Sequence, residues 1–167
     1  MMRKLFSTAL LTLTFVVIAF SQSTSQILSD ITKNGGSITV QFPNKNPKEG
    51  EANLIDGNID NKYVVPFQKE IWIQYNSPVA VAVNQYTITS ANDMPGRDPK
   101  SWTLQGSNDA TTWIDLDKKE GQSFAKRFET KTFSFVNKKT YKSYRLNIIN
   151  NGDLLTQLSK WGLFQVK

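Results

Sequence analysis

The side chains available for chemistry in this chain are carboxylates, amides, hydroxyls and cations. Its 167 residues contain neither cysteine nor histidine. Cysteine nucleophiles, Ser-His-Asp triads, zinc fingers, disulfide frameworks and histidine-ligated metals are excluded on that ground. A metal could be held only by an all-oxygen calcium or magnesium site. Asp115 and Asp117 stand two residues apart, on one face of a strand. Glycoside hydrolysis needs two carboxylates flanking a cleft, and this spacing fits a solvated strand edge equally well. A small sandwich with shallow loops is a poor frame for such a cleft, so the chain is not expected to be an enzyme.

The elements that carry these groups are strands. Ser37 to Phe42 alternates Ile38, Val40 and Phe42 with polar neighbours, and Ile71, Ile73 and Tyr75 alternate with Trp72 and Gln74. The same period of two runs through Tyr86 and Ile88, Trp102 and Leu104, Phe133 and Phe135, and Tyr144, Leu146 and Ile148, and a last apolar run holds Leu163, Phe164 and Val166. Half-buried pleated strands require this pattern. Pro43, Pro47, Pro66, Pro78, Pro95 and Pro99 fall between the runs or at their starts, as do most glycines. That placement suits loops joining antiparallel strands. No stretch sustains helical periodicity over three turns, and 153–159 makes one short turn at most. The expectation is an all-β sandwich or barrel with long polar loops at 43–50, 61–69, 91–100 and 150–157. Trp102 and Trp113 flank the turn Gly106-Ser-Asn-Asp109 and are expected in the core. Arg97 and Asp98 either pair to brace their loop or leave Arg97 to a ligand.

Length and composition fit one domain. A chain of this size buries about 68–70% of its unfolded surface, and 39% hydrophobic residues supply a core. Residues 1–21 read as a secretory signal: a start containing Arg3 and Lys4, an apolar stretch to Phe20, and Ala19 and Ser21 at the small positions before a cut ahead of Gln22. The stretch carries four hydroxyls and is short for a membrane span. Residues 22–33 read as a flexible lead-in and 34–167 as the domain. The expected location is secreted, periplasmic or at the cell surface. Net charge falls from +6 to +4 once Arg3 and Lys4 are removed. The remaining basic residues are scattered with no nucleic-acid motif, so no nucleic-acid partner is expected.

Several strings then occur in a meaningful order: Asn53-Leu-Ile-Asp-Gly-Asn58 followed by Lys62-Tyr63, Trp72-Ile-Gln-Tyr75, Tyr86-Thr-Ile-Thr-Ser90-Ala-Asn-Asp93, Arg97-Asp-Pro-Lys-Ser-Trp102, Leu104-Gln-Gly-Ser-Asn-Asp109, Trp113-Ile-Asp-Leu-Asp117, Tyr144-Arg-Leu146, and the closing Gln157-Leu158 with Leu163-Phe164. Together they resemble the discoidin, or factor V/VIII C-type, domain and the related galactose-binding-like carbohydrate-binding modules, over about Asn34 to Lys167. The resemblance implies an antiparallel jelly-roll β-sandwich of about eight strands. It also implies a non-catalytic binding module whose loops at one end recognise carbohydrate. The alternative is a protein- or phospholipid-binding adhesion domain.

The resemblance carries over a ligand set of Tyr63, Phe67, Asn92, Arg97, Asn150 and Asn151, with Asp93 and Asp153 beside them. Leu154 and Leu155 stand where many sugar binders place Trp or Phe, which favours the adhesion alternative if they are exposed. Many relatives also hold a structural calcium, and Asp56, Asn58, Asp60 and Asn61 match the loop that binds it. The final-strand glutamate of that site is replaced here by Lys160. An ammonium about 4 Å from a divalent ion repels it by roughly 8 kcal/mol at an effective dielectric of about 20. Three alternatives follow: calcium is bound despite Lys160, the Lys160 ammonium bonds the loop carbonyls and Asp56 itself, or Lys160 is simply exposed.

Overall fold

Alternation decides which side chains each strand turns inward. In the computed structural model, which describes residues 28–166, the inward sets of two antiparallel sheets form one core. The strands are β1 (Leu28–Asp30), β2 (Ser37–Val40), β3 (Tyr63–Pro66), β4 (Glu70–Val81), β5 (Gln85–Thr89), β6 (Ser101–Ser107), β7 (Ile114–Lys119), β8 (Thr130–Ser134), β9 (Tyr141–Ile149), β10 (Leu155–Leu158) and β11 (Lys160–Val166). One sheet has the order β1-β11-β5-β8 and the other β2-β4-β9-β6-β7. A separate ribbon pairs β10 with β3. Helical structure among the described residues is confined to short 3₁₀ turns at Ile31–Lys33, Glu51–Leu54 and Pro95–Arg97. The fold is the jelly-roll sandwich expected.

Ile71, Ile73 and Tyr75 of β4, Leu146 and Ile148 of β9, and Trp102 and Leu104 of β6 meet Tyr86, Ile88, Phe133, Trp161 and Leu163 from the other sheet. The polar atoms taken into this core are paired. The Tyr86 hydroxyl accepts from Trp102 Nε1 at 2.8 Å and donates to Asp117 Oδ2 at 2.7 Å. Burial, together with Asp117, pushes that hydroxyl far above the usual tyrosine range. Trp113 is not in the core, contrary to expectation. Its ring lies 3.9 Å from the Arg145 guanidinium, and Trp72 lies 4.5 Å from the same group. A β-bulge between Leu104 and Gln105 also separates the two acidic residues of β7. Asp117 bonds Tyr86 on the core side, while Asp115 accepts from Gln105 at 2.7 Å on the outer face.

The signal reading at 1–21 lies outside the described residues. The expected lead-in ends earlier than 33, because Leu28–Asp30 pairs with β11 and Ile31 is buried. Of the loops expected, 61–69 contains β3 and 150–157 runs into β10, which pairs with it. Strand β10 also replaces the single helical turn expected over 153–159. Replacing Tyr86 with Phe should destabilise the fold by about 1–3 kcal/mol, the cost of leaving Trp102 Nε1 and Asp117 without their buried partner. Urea unfolding measures it, and an unchanged midpoint would contradict the pairing.

Candidate functional site

Two loops meet at one end of the sandwich, one after β5 and one between β9 and β10. They enclose an open cleft of about 560 Å³ lined by Met94, Arg97, Gly152, Asp153, Leu154 and Leu155. Neither loop has regular backbone pairing to hold it, so side chains supply the missing bonds. Arg127, from the β7–β8 connection, donates from Nη1 to the carbonyls of Ala91 at 3.3 Å and Asp93 at 2.9 Å. It also grips both oxygens of buried Asp98, at 3.0 and 2.5 Å. Burial raises the Asp98 carboxyl above its ordinary value, and Arg127 offsets only part of that rise. Buried Gln157 of β10 donates from Nε2 to the carbonyls of Asp93 at 2.8 Å and Met94 at 3.3 Å. Lys62 Nζ bonds Asp93 Oδ1 at 2.9 Å and Gln157 Oε1 at 3.2 Å. Burial works against the Asp93 carboxylate, yet its bonds to Lys62 and Gln157 win and hold it below the usual range.

This clamping fixes Met94 at φ 35°, in the left-handed region that a non-glycine residue seldom enters. The turn Pro95–Arg97 follows and aims Arg97 into the cleft. Arg97 Nε is buried with no hydrogen-bond partner, and Asp153 Oδ1 lies 3.8 Å away, too far for a good bond. Gly96 sits so close to Asp153 that a Cβ there would lie 2.8 Å from Oδ2. Position 96 therefore has to stay bare for the carboxylate to keep its place.

The six expected ligand residues divide. Arg97 lines the cleft, Asn92 is exposed on the same loop, and Phe67 is exposed just beyond the end of β3. Asn150 and Asn151 are present but committed to the loop. Asn150 Nδ2 donates to Thr156 Oγ1 at 2.8 Å and its Oδ1 accepts from Gly152 N at 2.7 Å. Asn151 Nδ2 donates to the Asp98 carbonyl at 2.7 Å. Tyr63 is fully buried, with its hydroxyl on the Phe42 carbonyl at 2.7 Å, so it offers no ring face to a ligand. The expected Arg97–Asp98 brace does not form, because Asp98 pairs with Arg127 instead. Sequence reasoning missed Arg127, and it quoted Lys62 and Gln157 only as parts of family strings, with no role. Asp153 was noted only as a neighbour, yet it faces Arg97.

A second cluster lies behind this end of the sandwich. Lys160 Nζ is bonded to the carbonyls of Asn53 at 2.5 Å, Ser159 at 3.0 Å and Asn61 at 3.2 Å, and to Asp56 Oδ1 at 2.9 Å. Asn61 Nδ2 and the Asn58 backbone N–H hold the Asp56 carboxylate at 2.7 and 2.8 Å. Burial opposes that carboxylate, but these bonds and Lys160 bring it below its ordinary value. Of the four residues matched to a calcium loop, Asp56 and the Asn61 carbonyl reach the centre. Asn58 spends its side-chain oxygen on Asp60 N at 3.2 Å.

The model of the F5/8 type C domain matches residues 36–158. The chain belongs to that family. Among solved structures it is similar to the F5/8 type C domain of a Bacteroides fragilis protein, at TM-score 0.73 and 16% identity, covering 86% of this chain and 99% of that one. It is also similar to a Clostridium perfringens family 32 carbohydrate-binding module in complex with galactose, at TM-score 0.67 and 12% identity, covering 83% and 100%. A further Clostridium perfringens module of that family, in complex with GalNAc-β-1,3-galactose, matches at TM-score 0.69 and 12% identity, covering 82% and 100%. In sequence, the chain is 42% identical over 89 residues to an Arabidopsis thaliana peptide-N(4)-(N-acetyl-β-glucosaminyl)asparagine amidase. That match spans 48% of this chain and 12% of the amidase.

Replacing Arg127 with Ala strands the buried Asp98 carboxylate and should cost about 3–5 kcal/mol at neutral pH. Burial already raises the folded-state value of Asp98, and losing Arg127 raises it further. The deficit is therefore full above that value and shrinks as pH falls through it and the carboxyl becomes neutral. Unfolding of both proteins at neutral and acid pH checks this, and an equal loss at both would contradict it.

Proposed function

We propose that this chain is a non-catalytic carbohydrate-binding module that takes a terminal sugar of a glycan in the Arg97–Asp153 cleft. The observation that carries the reading is the pair itself: the Arg97 guanidinium and the Asp153 carboxylate stand side by side on the lining of an open cleft, and Arg97 Nε has no protein acceptor. Such a donor and acceptor suit neighbouring hydroxyls, which both give and receive hydrogen bonds. Asn92 adds an amide at the rim, and the exposed Phe67 ring offers a face to the apolar side of a pyranose. Family membership and the sugar-bound structures of similar fold support the reading. The basic start and apolar stretch of 1–21 support export, with the mature chain beginning near Gln22.

One observation favours a second reading, adhesion to a protein or an anionic phospholipid surface. Leu154 is 81% exposed and Met94 50%, both lining the cleft, and Phe67, 53% exposed, follows Pro66, which pairs with the cleft residue Leu155. Exposed apolar side chains beside a binding cleft also suit a non-glycan partner.

An open cleft with few hydrogen bonds should bind a galactoside or N-acetylgalactosaminide with a dissociation constant of about 0.1–1 mM, or roughly −4 to −5.5 kcal/mol. Arg97→Ala should remove about 1–3 kcal/mol of that and leave the melting temperature nearly unchanged, because the 3.8 Å contact with Asp153 is too long to brace the loop. Calorimetric titration with methyl glycosides, followed by a broad glycan array, makes the measurement. Undiminished affinity in the variant would move the site elsewhere. No glycan binding, together with co-sedimentation on phosphatidylserine vesicles, would give the second reading the lead.

A further inference from the structure

The oxygens around Lys160 are gathered as they would be for a cation. Three main-chain carbonyls and one carboxylate oxygen converge on a single nitrogen from Asn53, Asp56, Asn61 and Ser159. Carbonyls turned toward one point repel each other unless a positive charge sits between them. An ammonium has three protons and no acceptor, so four oxygens saturate it. Ser159 tightens the same ring from beside it, its hydroxyl sharing its one proton between the carbonyls of Ile59 at 2.5 Å and Asn61 at 2.9 Å. Lys33 approaches from outside and donates to the Ile55 carbonyl at 2.6 Å.

The structural calcium implied by the family does not fit this arrangement. Calcium takes six to eight oxygens at about 2.3–2.6 Å, several of them anionic. Here Asp56 is the one carboxylate bonded to Nζ, and no group of three or more acidic side chains that could hold a metal occurs among the described residues. A divalent ion would also have to displace Lys160 from a partly buried position and lie close to Lys33.

We infer that Lys160 is a tethered cation occupying the fold's cation site, so that the chain holds its 53–61 loop against β11 without a divalent metal. The ammonium is covalently part of β11 and needs no free ion, so the loop stays closed whatever the calcium concentration outside. A carboxylate at position 160 would restore the missing charge and open the cage to calcium.

The test is thermal unfolding of the full chain and of Lys160→Glu and Lys160→Gln, each with EDTA and with excess calcium chloride. The natural chain should melt at the same temperature in both. Lys160→Gln should melt lower than the natural chain, because it removes the positive charge that the carbonyls face. Lys160→Glu should melt low in EDTA and rise by about 5–10 °C when calcium exceeds its dissociation constant a hundredfold. A calcium-dependent rise or EDTA-induced fall of that size in the natural chain would overturn the inference, and that arm does not depend on any variant folding. A folded Lys160→Glu that ignores calcium would also overturn it, because the oxygens would then not form a cation site. Terbium luminescence on Lys160→Glu reads occupancy independently of stability.

Discussion

A single guanidinium holds the cleft end of this molecule in shape. Arg127 stands between β7 and β8, yet it bonds three residues of the loop after β5: the Ala91 and Asp93 carbonyls and the Asp98 carboxylate. Asp98 is buried, and a buried carboxylate without a cation would cost several kcal/mol. The ion pair therefore does two things at once. It neutralises Asp98, and it gives a loop with little backbone pairing a fixed path, so that the next turn aims Arg97 at Asp153.

The two polar clusters at this end are coupled through adjacent residues. The Asn61 carbonyl accepts from Lys160, and the next residue, Lys62, holds Asp93 and Gln157 with its ammonium. Asn53 bridges them again: its carbonyl receives Lys160 while its side-chain amide donates to the Lys62 carbonyl at 2.9 Å. The early loop thus lies between a cation fixed on β11 and the loop that carries Arg97. Loosening Lys160 would loosen the anchor of Asp93, although neither lysine lines the cleft.

How much of this was legible in the sequence depended on the range of the interaction. Strands with clean period-two alternation, such as β4, β5, β6 and β9, were readable because one buried face imposes the pattern residue by residue. Strands β1, β3 and β10, of 3, 4 and 4 residues, were not, since two turns of alternation look like any polar loop. Trp113 and Tyr63 were misplaced for one reason: an aromatic residue is equally at home in the core, on a guanidinium or at a ligand. Arg97 and Lys160 were found through the family's order of motifs. Arg127 carried no local signal, because its partners lie 29 to 36 residues away and only the folded chain brings them together. Asn150 and Asn151 lie in the loop beside the cleft, but their side-chain amides are spent within the protein, on Thr156 and Gly152 and on the Asp98 carbonyl.

The central claim, that a sugar is held in the cleft lined by Arg97 and Asp153, is tested most directly by backbone amide chemical-shift mapping of the labelled chain during titration with a galactoside. The account predicts shifts concentrated at residues 92–97 and 151–155, with Phe67 joining them. The outer sheet face around Trp72, Arg145 and Trp113 should stay silent. Shifts centred on that face, or spread without a focus, would contradict it.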